Sequence, residues 1–75
     1  MTRSEFLVEF DKVLELPPGT LTGSEPLEDL ASWDSLAMIG FMALADEHYQ
    51  TKLSPRQFVN CTTVNDLLEL ARVQS

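Results

Sequence analysis

The 75-residue chain predicts an all-α fold: a small four-helix bundle, three longer helices plus a short helix three, with a long loop after the first helix. Three observations point there. The apolar residues, 44% of the chain, include twelve leucines against five valines and one isoleucine, a composition that favours helices over sheets. Four helix-start patterns punctuate the sequence. Nowhere do polar and apolar residues alternate as in a half-buried strand, and there is no internal repeat or low-complexity tract. Residues 1–75 are read as one domain, because a chain this short buries only about 60% of its unfolded surface and cannot divide its core.

The first helix opens at Thr2-x-x-Glu5, a capping box in which each side chain satisfies an orphan amide. Phe6, Leu7, Phe10, Val13 and Leu14 then form one apolar stripe, with Glu5, Glu9, Asp11 and Lys12 left to water. Pro17-Pro18-Gly19 ends it, so the helix is expected over about residues 3–16. Residues 17–33 lack helical period and read as a long ordered loop, pinned to the core by Leu21, Leu27 and Leu30. The second helix starts at Asp34-Ser35, either of which can cap it, and runs to about Gln50. Ser54-Pro55-Arg56-Gln57 starts a short third helix, and Thr63-x-x-Asp66 starts the fourth, carrying Val64, Leu67, Leu68, Leu70 and Ala71.

Net charge is −7, and its placement matters more than its size. Between Val13 and Thr51 there is no lysine or arginine, while Glu15, Glu25, Glu28, Asp29, Asp34, Asp46 and Glu47 all fall there. Such a field repels nucleic acid and attracts proteins with basic patches. One cysteine, Cys61, excludes an internal disulfide framework. No apolar run approaches the roughly 18 residues of a membrane span, and the start of the chain has no secretory leader pattern. The expectation is a soluble, cytoplasmic monomer that binds neither nucleic acid nor a membrane.

Searches for catalytic chemistry find little. There is no glycine-rich phosphate loop, no calcium loop and no Cys/His spacing for zinc. His48 is expected to sit in the last turn of the second helix, favoured by the dipole, and Cys61 to act as a small buried hydrophobe. No catalytic residue and no metal ligand is assigned. The second helix is the exception to this plain picture, because Leu36 to Ala45 carry no charge. Winding it puts Met38, Phe41, Met42, Ala45 and Tyr49 on one side, expected to be core. Leu36, Ile39, Gly40, Ala43 and Glu47 lie opposite, as an expected docking strip for protein partners. Gly40 costs about 1 kcal/mol relative to alanine in a helix, and on an exposed strip it is expected to admit a partner's close approach.

Trp33-Asp34-Ser35-Leu36, the preceding Leu27-x-x-Leu30 and the later Thr62-Thr63-Val64-x-Asp66-Leu67 together resemble the acyl carrier protein family. Length, acidity, long first loop and short third helix agree over the whole chain. The resemblance implies a discrete carrier in which Ser35 takes 4′-phosphopantetheine from coenzyme A, with Asp34 assisting a separate phosphopantetheinyl transferase. The carrier then holds acyl groups as thioesters between acyl-loading and acyl-processing enzymes of fatty-acid, polyketide or related specialised biosynthesis, and catalyses nothing itself. Gly40 in place of a common glutamate, the bulky Met38 and Phe41, and Trp33 resemble carriers of specialised pathways more than those of the general fatty acid synthase. Two other readings stand beside this one: an aminoacyl or D-alanyl carrier of the same fold, and an unmodified acidic helical interaction module whose Asp34-Ser35 only caps a helix.

Overall fold

In the computed structural model, which describes residues 1–73, Thr2 caps the first helix, α1 (Arg3–Val13). Its hydroxyl accepts from the Glu5 amide and the Glu5 carboxylate accepts from the Thr2 amide, so the expected box is formed. The helix stops three residues before the predicted end. Glu15 takes a left-handed φ of 60°, and the amides of Glu15 and Leu16 turn back to the carbonyls of Lys12 and Asp11. This is a Schellman closure built without glycine. Helix α2 spans Ser35–Tyr49 and α3 spans Val64–Leu70, with Thr63 and Asp66 forming the capping box that opens α3.

The expected short third helix is a single 3₁₀ turn, Pro55–Phe58, so three α-helices rather than four make up the described residues, and no strand is present among them. Only Phe58 of this segment is buried. With one apolar anchor and Asn60 following, nothing rewards a second turn. A further 3₁₀ turn, Leu27–Asp29, interrupts the long loop.

The core is aromatic at its centre. Phe6, Phe10 and Phe41 are fully buried, with Phe41 edge-on to Phe6, Phe10 and Phe58 at centroid distances of 5.6, 4.9 and 6.0 Å. Leu14, Leu21, Leu27, Val64, Leu67 and Leu68 close around them. On α2 the buried line is Ala37, Phe41 and Ala45, spaced by four. Met38, Met42 and Tyr49, also expected in the core, are only half-buried. Met38 and Met42 flank the line by about 100° of helix rotation and reach the core from its margin, while Tyr49 continues it four residues after Ala45, at the helix end.

Asp11 corrects the sequence reading most sharply. Expected in water, it is completely buried. Its carboxylate accepts the amides of Gly19 at 2.8 Å and Leu21 at 3.1 Å, which folds the loop back onto α1. The loop also closes over α3: the carbonyls of Glu25 and Gly23 accept the Val64 and Asn65 amides, and Leu27 N–H donates to the Thr62 carbonyl. Two otherwise orphaned donors at the start of α3 are thereby satisfied. Gly23, at φ 113°, allows this approach, since a Cβ there would collide with Arg3 and Asn65.

Glu25 holds the same turn from inside. Partial burial pushes its carboxyl up, but hydrogen bonds from the Thr22 and Gly23 amides and the Thr22 hydroxyl outweigh this and hold it below its ordinary 4.5. A depressed folded-state value means the stabilisation is complete above pH 4.5 and lost as pH falls through the folded value. The stability advantage of wild type over Glu25→Gln should therefore be constant above that pH and shrink below it. Urea denaturation across a pH series reads this directly, and a gap independent of pH would contradict the assignment. No helix among the described residues is long and apolar enough to cross a membrane.

Candidate functional site

Two residues competed in the sequence for the cap of α2, and the structure divides their roles. Asp34 is the cap: its Oδ1 accepts the Ala37 amide at 2.8 Å and its carbonyl accepts the Met38 amide at 2.9 Å. Ser35 is consequently the first helical residue, exposed, and its hydroxyl takes no part in capping. The first amides of a helix have no intrahelical acceptor and lie at the positive end of its dipole. A phosphate ester at Ser35 would therefore sit in the environment that helix N-termini offer to anions.

The residue before this pair is held from several sides. Trp33 donates its amide to Leu30, and its ring meets Phe10 edge-on at 5.9 Å and lies 6.1 Å from Phe58. One half-buried indole thus ties the loop, α1 and the 3₁₀ turn together immediately before Ser35. In the sequence Trp33 is only a mark of resemblance, because its aromatic packing depends on residues 23 and 25 positions away.

The carboxylate beside Ser35, that of Asp34, accepts the Ala37 amide through Oδ1. His48 sits in the last turn of the same helix, edge-on to Phe6 at 6.4 Å. Cys61 is half-buried, and burial followed by the Asp66 charge pushes its thiol up, away from the reactive thiolate. Among the described residues no group of three or more His, Cys, Asp or Glu is placed to hold a metal.

Along α2, Leu36 is 78% and Ile39 59% exposed, and Ala43 and Glu47 are exposed as well. Gly40 departs from the expectation. It is half-buried, and a Cβ on it would stand 2.8 Å from Cγ1 of Val13, so the glycine is accounted for by the close approach of α1. Alanine ordinarily stabilises a helix interior by about 0.5–1 kcal/mol over glycine. Here Gly40→Ala should instead destabilise, because a β-branched side chain has few rotamers with which to yield. In a Val13→Ala background the same change should become neutral or stabilising. A double-mutant cycle by chemical denaturation measures this coupling, and additive effects would contradict it.

Residues 5–71 match the family model described as phosphopantetheine attachment site. No curated protein and no solved structure matches the chain. The exposed serine at the dipole end of α2 fits the group that this family carries. The chain belongs to the phosphopantetheine attachment site family, and is a carrier of covalently attached 4′-phosphopantetheine.

Proposed function

We propose that Ser35 is the attachment residue and that the protein is an acyl carrier serving a specialised biosynthetic route, a fatty-acid, polyketide or related one. One observation carries the reading: Asp34 occupies the cap, which leaves the Ser35 hydroxyl exposed and uncommitted at the amino end of α2. In loading, the Ser35 oxygen forms a bond to the pantetheine-side phosphorus of coenzyme A. The bond from that phosphorus to the adenosine bisphosphate breaks, and the serine proton leaves to a base of the transferase. When bound, the group supplies a thiol that holds an acyl chain as a thioester. The chain itself catalyses nothing in this scheme, and residues 1–75 act as one monomeric carrier domain in the cytoplasm, where coenzyme A is the donor.

Partners dock on α2. Leu36, Ile39 and Ala43 offer an apolar strip, with Gly40 beside it at the α1 contact. Asp34 and Glu47 supply charge at its two ends, and with no basic residue between Val13 and Thr51 they favour a basic patch on the transferase or on acyl-processing enzymes. Asp34→Asn and Glu47→Gln remove that attraction.

The test is the intact mass after incubation with coenzyme A and a promiscuous phosphopantetheinyl transferase. Wild type should gain one phosphopantetheine, and Ser35→Ala should gain none while keeping its helical circular dichroism. If wild type gains nothing while a control carrier is loaded, the unmodified interaction module takes over as the reading.

A further inference from the structure

Trp33 shares two ring partners with Phe41. Phe10 of α1 meets Trp33 at 5.9 Å and Phe41 at 4.9 Å, and Phe58 of the 3₁₀ turn lies 6.1 Å from Trp33 and 6.0 Å from Phe41. The four rings therefore close a circuit. Every separation falls within the roughly 4.5–7 Å at which aromatic pairs attract one another. Phe10 and Phe41 have no exposed surface and Phe58 is buried, so three of the corners belong to a close-packed interior that yields little.

The circuit brackets the amino end of α2. Asp34 and Ser35 are both exposed. The hydrogen bonds of Asp34 run within α2, to the Ala37 and Met38 amides. They shape the first turn without placing it relative to α1 or the loop. Placement comes from Phe41 on the helix side and from Trp33, the residue before the cap, on the loop side. The Trp33 amide donates to the Leu30 carbonyl at 3.0 Å, which holds the indole from the loop as well. The junction at Asp34-Ser35 cannot swing unless Trp33 parts from two rings that α2 itself grips through Phe41.

Loading joins the Ser35 oxygen to the pantetheine-side phosphorus of coenzyme A, releases adenosine bisphosphate from that phosphorus and passes the serine proton to a transferase base. The chain contributes to this step by where it holds the oxygen, and a misplacement of about 1 Å can lower a rate about 100-fold. Leu36, Ile39 and Ala43, the docking strip, are exposed and take no part in the circuit. We propose that Trp33 is a positioning residue for loading: through Phe10, Phe41 and Phe58 it fixes the Ser35 hydroxyl for attack, and it acts on the chemical step and not on docking. This rests on Ser35 being the attachment residue.

The test is single-turnover loading with coenzyme A and a promiscuous transferase in excess, followed by intact mass. The limiting rate reads the chemical step, and the transferase concentration giving half that rate reads docking. Urea curves establish the folded fraction to which each rate is referred. Trp33→Leu, apolar but without a ring, should lower the limiting rate by about 10-fold or more and leave half-saturation within about 2-fold. Trp33→Phe restores a ring and should return the rate to within about 3-fold of wild type. Phe58→Leu opens the circuit at a distant corner and should show the same signature. The double leucine variant should lose less than the product of the two single losses, because one circuit is broken twice. Where Trp33→Leu does not fold, Phe58→Leu decides by the same readings. Unchanged limiting rates in the folded leucine variants overturn the proposal and leave Trp33 a packing residue. A change confined to half-saturation also overturns it, by making Trp33 a contact of the transferase. Losses that multiply in the double variant overturn the circuit. A wild-type chain that gains no mass sinks the Ser35 assignment, and this proposal with it.

Discussion

Phe41→Ala is expected to lower the unfolding free energy by about 3–5 kcal/mol, the usual cost of truncating a buried aromatic. The large end of that range applies here for a geometric reason. Phe41 has no exposed surface and is surrounded by Phe6, Phe10 and Phe58, three rings drawn from α1 and the 3₁₀ turn. Rings held edge-on from different elements cannot all slide into one void, so the cavity persists. Against a typical total of about 5–15 kcal/mol, such a loss can unfold a domain this small. The comparison on the same helix is Ile39→Ala. At 59% exposure it should change stability by less than about 1 kcal/mol. It should instead weaken loading by the transferase. Two urea curves and one loading assay make the comparison, and equal destabilisation by the two substitutions would refute the division of α2 into a core side and a docking side.

Asp11→Ala should be the most damaging substitution of a charged residue. It removes the acceptor for the Leu21 amide at a buried position, and an unsatisfied buried donor costs about 1–3 kcal/mol. The Gly19 amide lies nearer the surface and can turn to water. Energy alone understates the outcome, because this carboxylate is what holds the long loop against α1. Release of the loop should free Leu21 and loosen the segment leading to Trp33, so amide exchange should rise through residues 19–33 and at Val64 and Asn65, whose acceptors lie in that segment, while the later amides of α3 stay protected. Asp11→Asn keeps one carbonyl acceptor and should fall between wild type and Asp11→Ala. Hydrogen exchange followed residue by residue separates the cases. If Asp11→Ala raises exchange uniformly along the chain, the carboxylate is a general core contact and not the loop's anchor.

Elements whose signals are local are legible in the amino-acid sequence. Capping patterns at Thr2, Asp34 and Thr63 open α1, α2 and α3 where expected, because a cap is a contact within four residues. Leu21 and Leu27 are buried and Leu30 half-buried against the core, as their spacing across the loop predicts. The helix ends are less legible. Glu15 and Arg72 both take left-handed φ at positions where glycine is the usual signal, so neither stop can be read from residue type. The Ser54-Pro55 start does open a turn, but its length depends on how much apolar surface it can bury, and Phe58 alone does not extend it.

For the site, local chemistry determines that Asp34 or Ser35 caps α2 and that the chain from Val13 to Thr51 is uniformly acidic. Which of the two residues caps, and so which is left free, is decided only when the Asp34 carboxylate reaches the Ala37 amide. Asp11 and Gly40 mislead for a common reason. A charged residue on a helix looks solvated, and a helical glycine looks like an opening for a partner, as long as only their own helix is considered. The loop that returns to Asp11 lies eight to ten residues on, and the Val13 side chain facing Gly40 is twenty-seven residues back. Helical period records which side of a helix a residue occupies. Which segment comes to cover that side is set by the packing of distant parts of the chain, where burial and hydrogen bonding are satisfied together and no single helix carries the information.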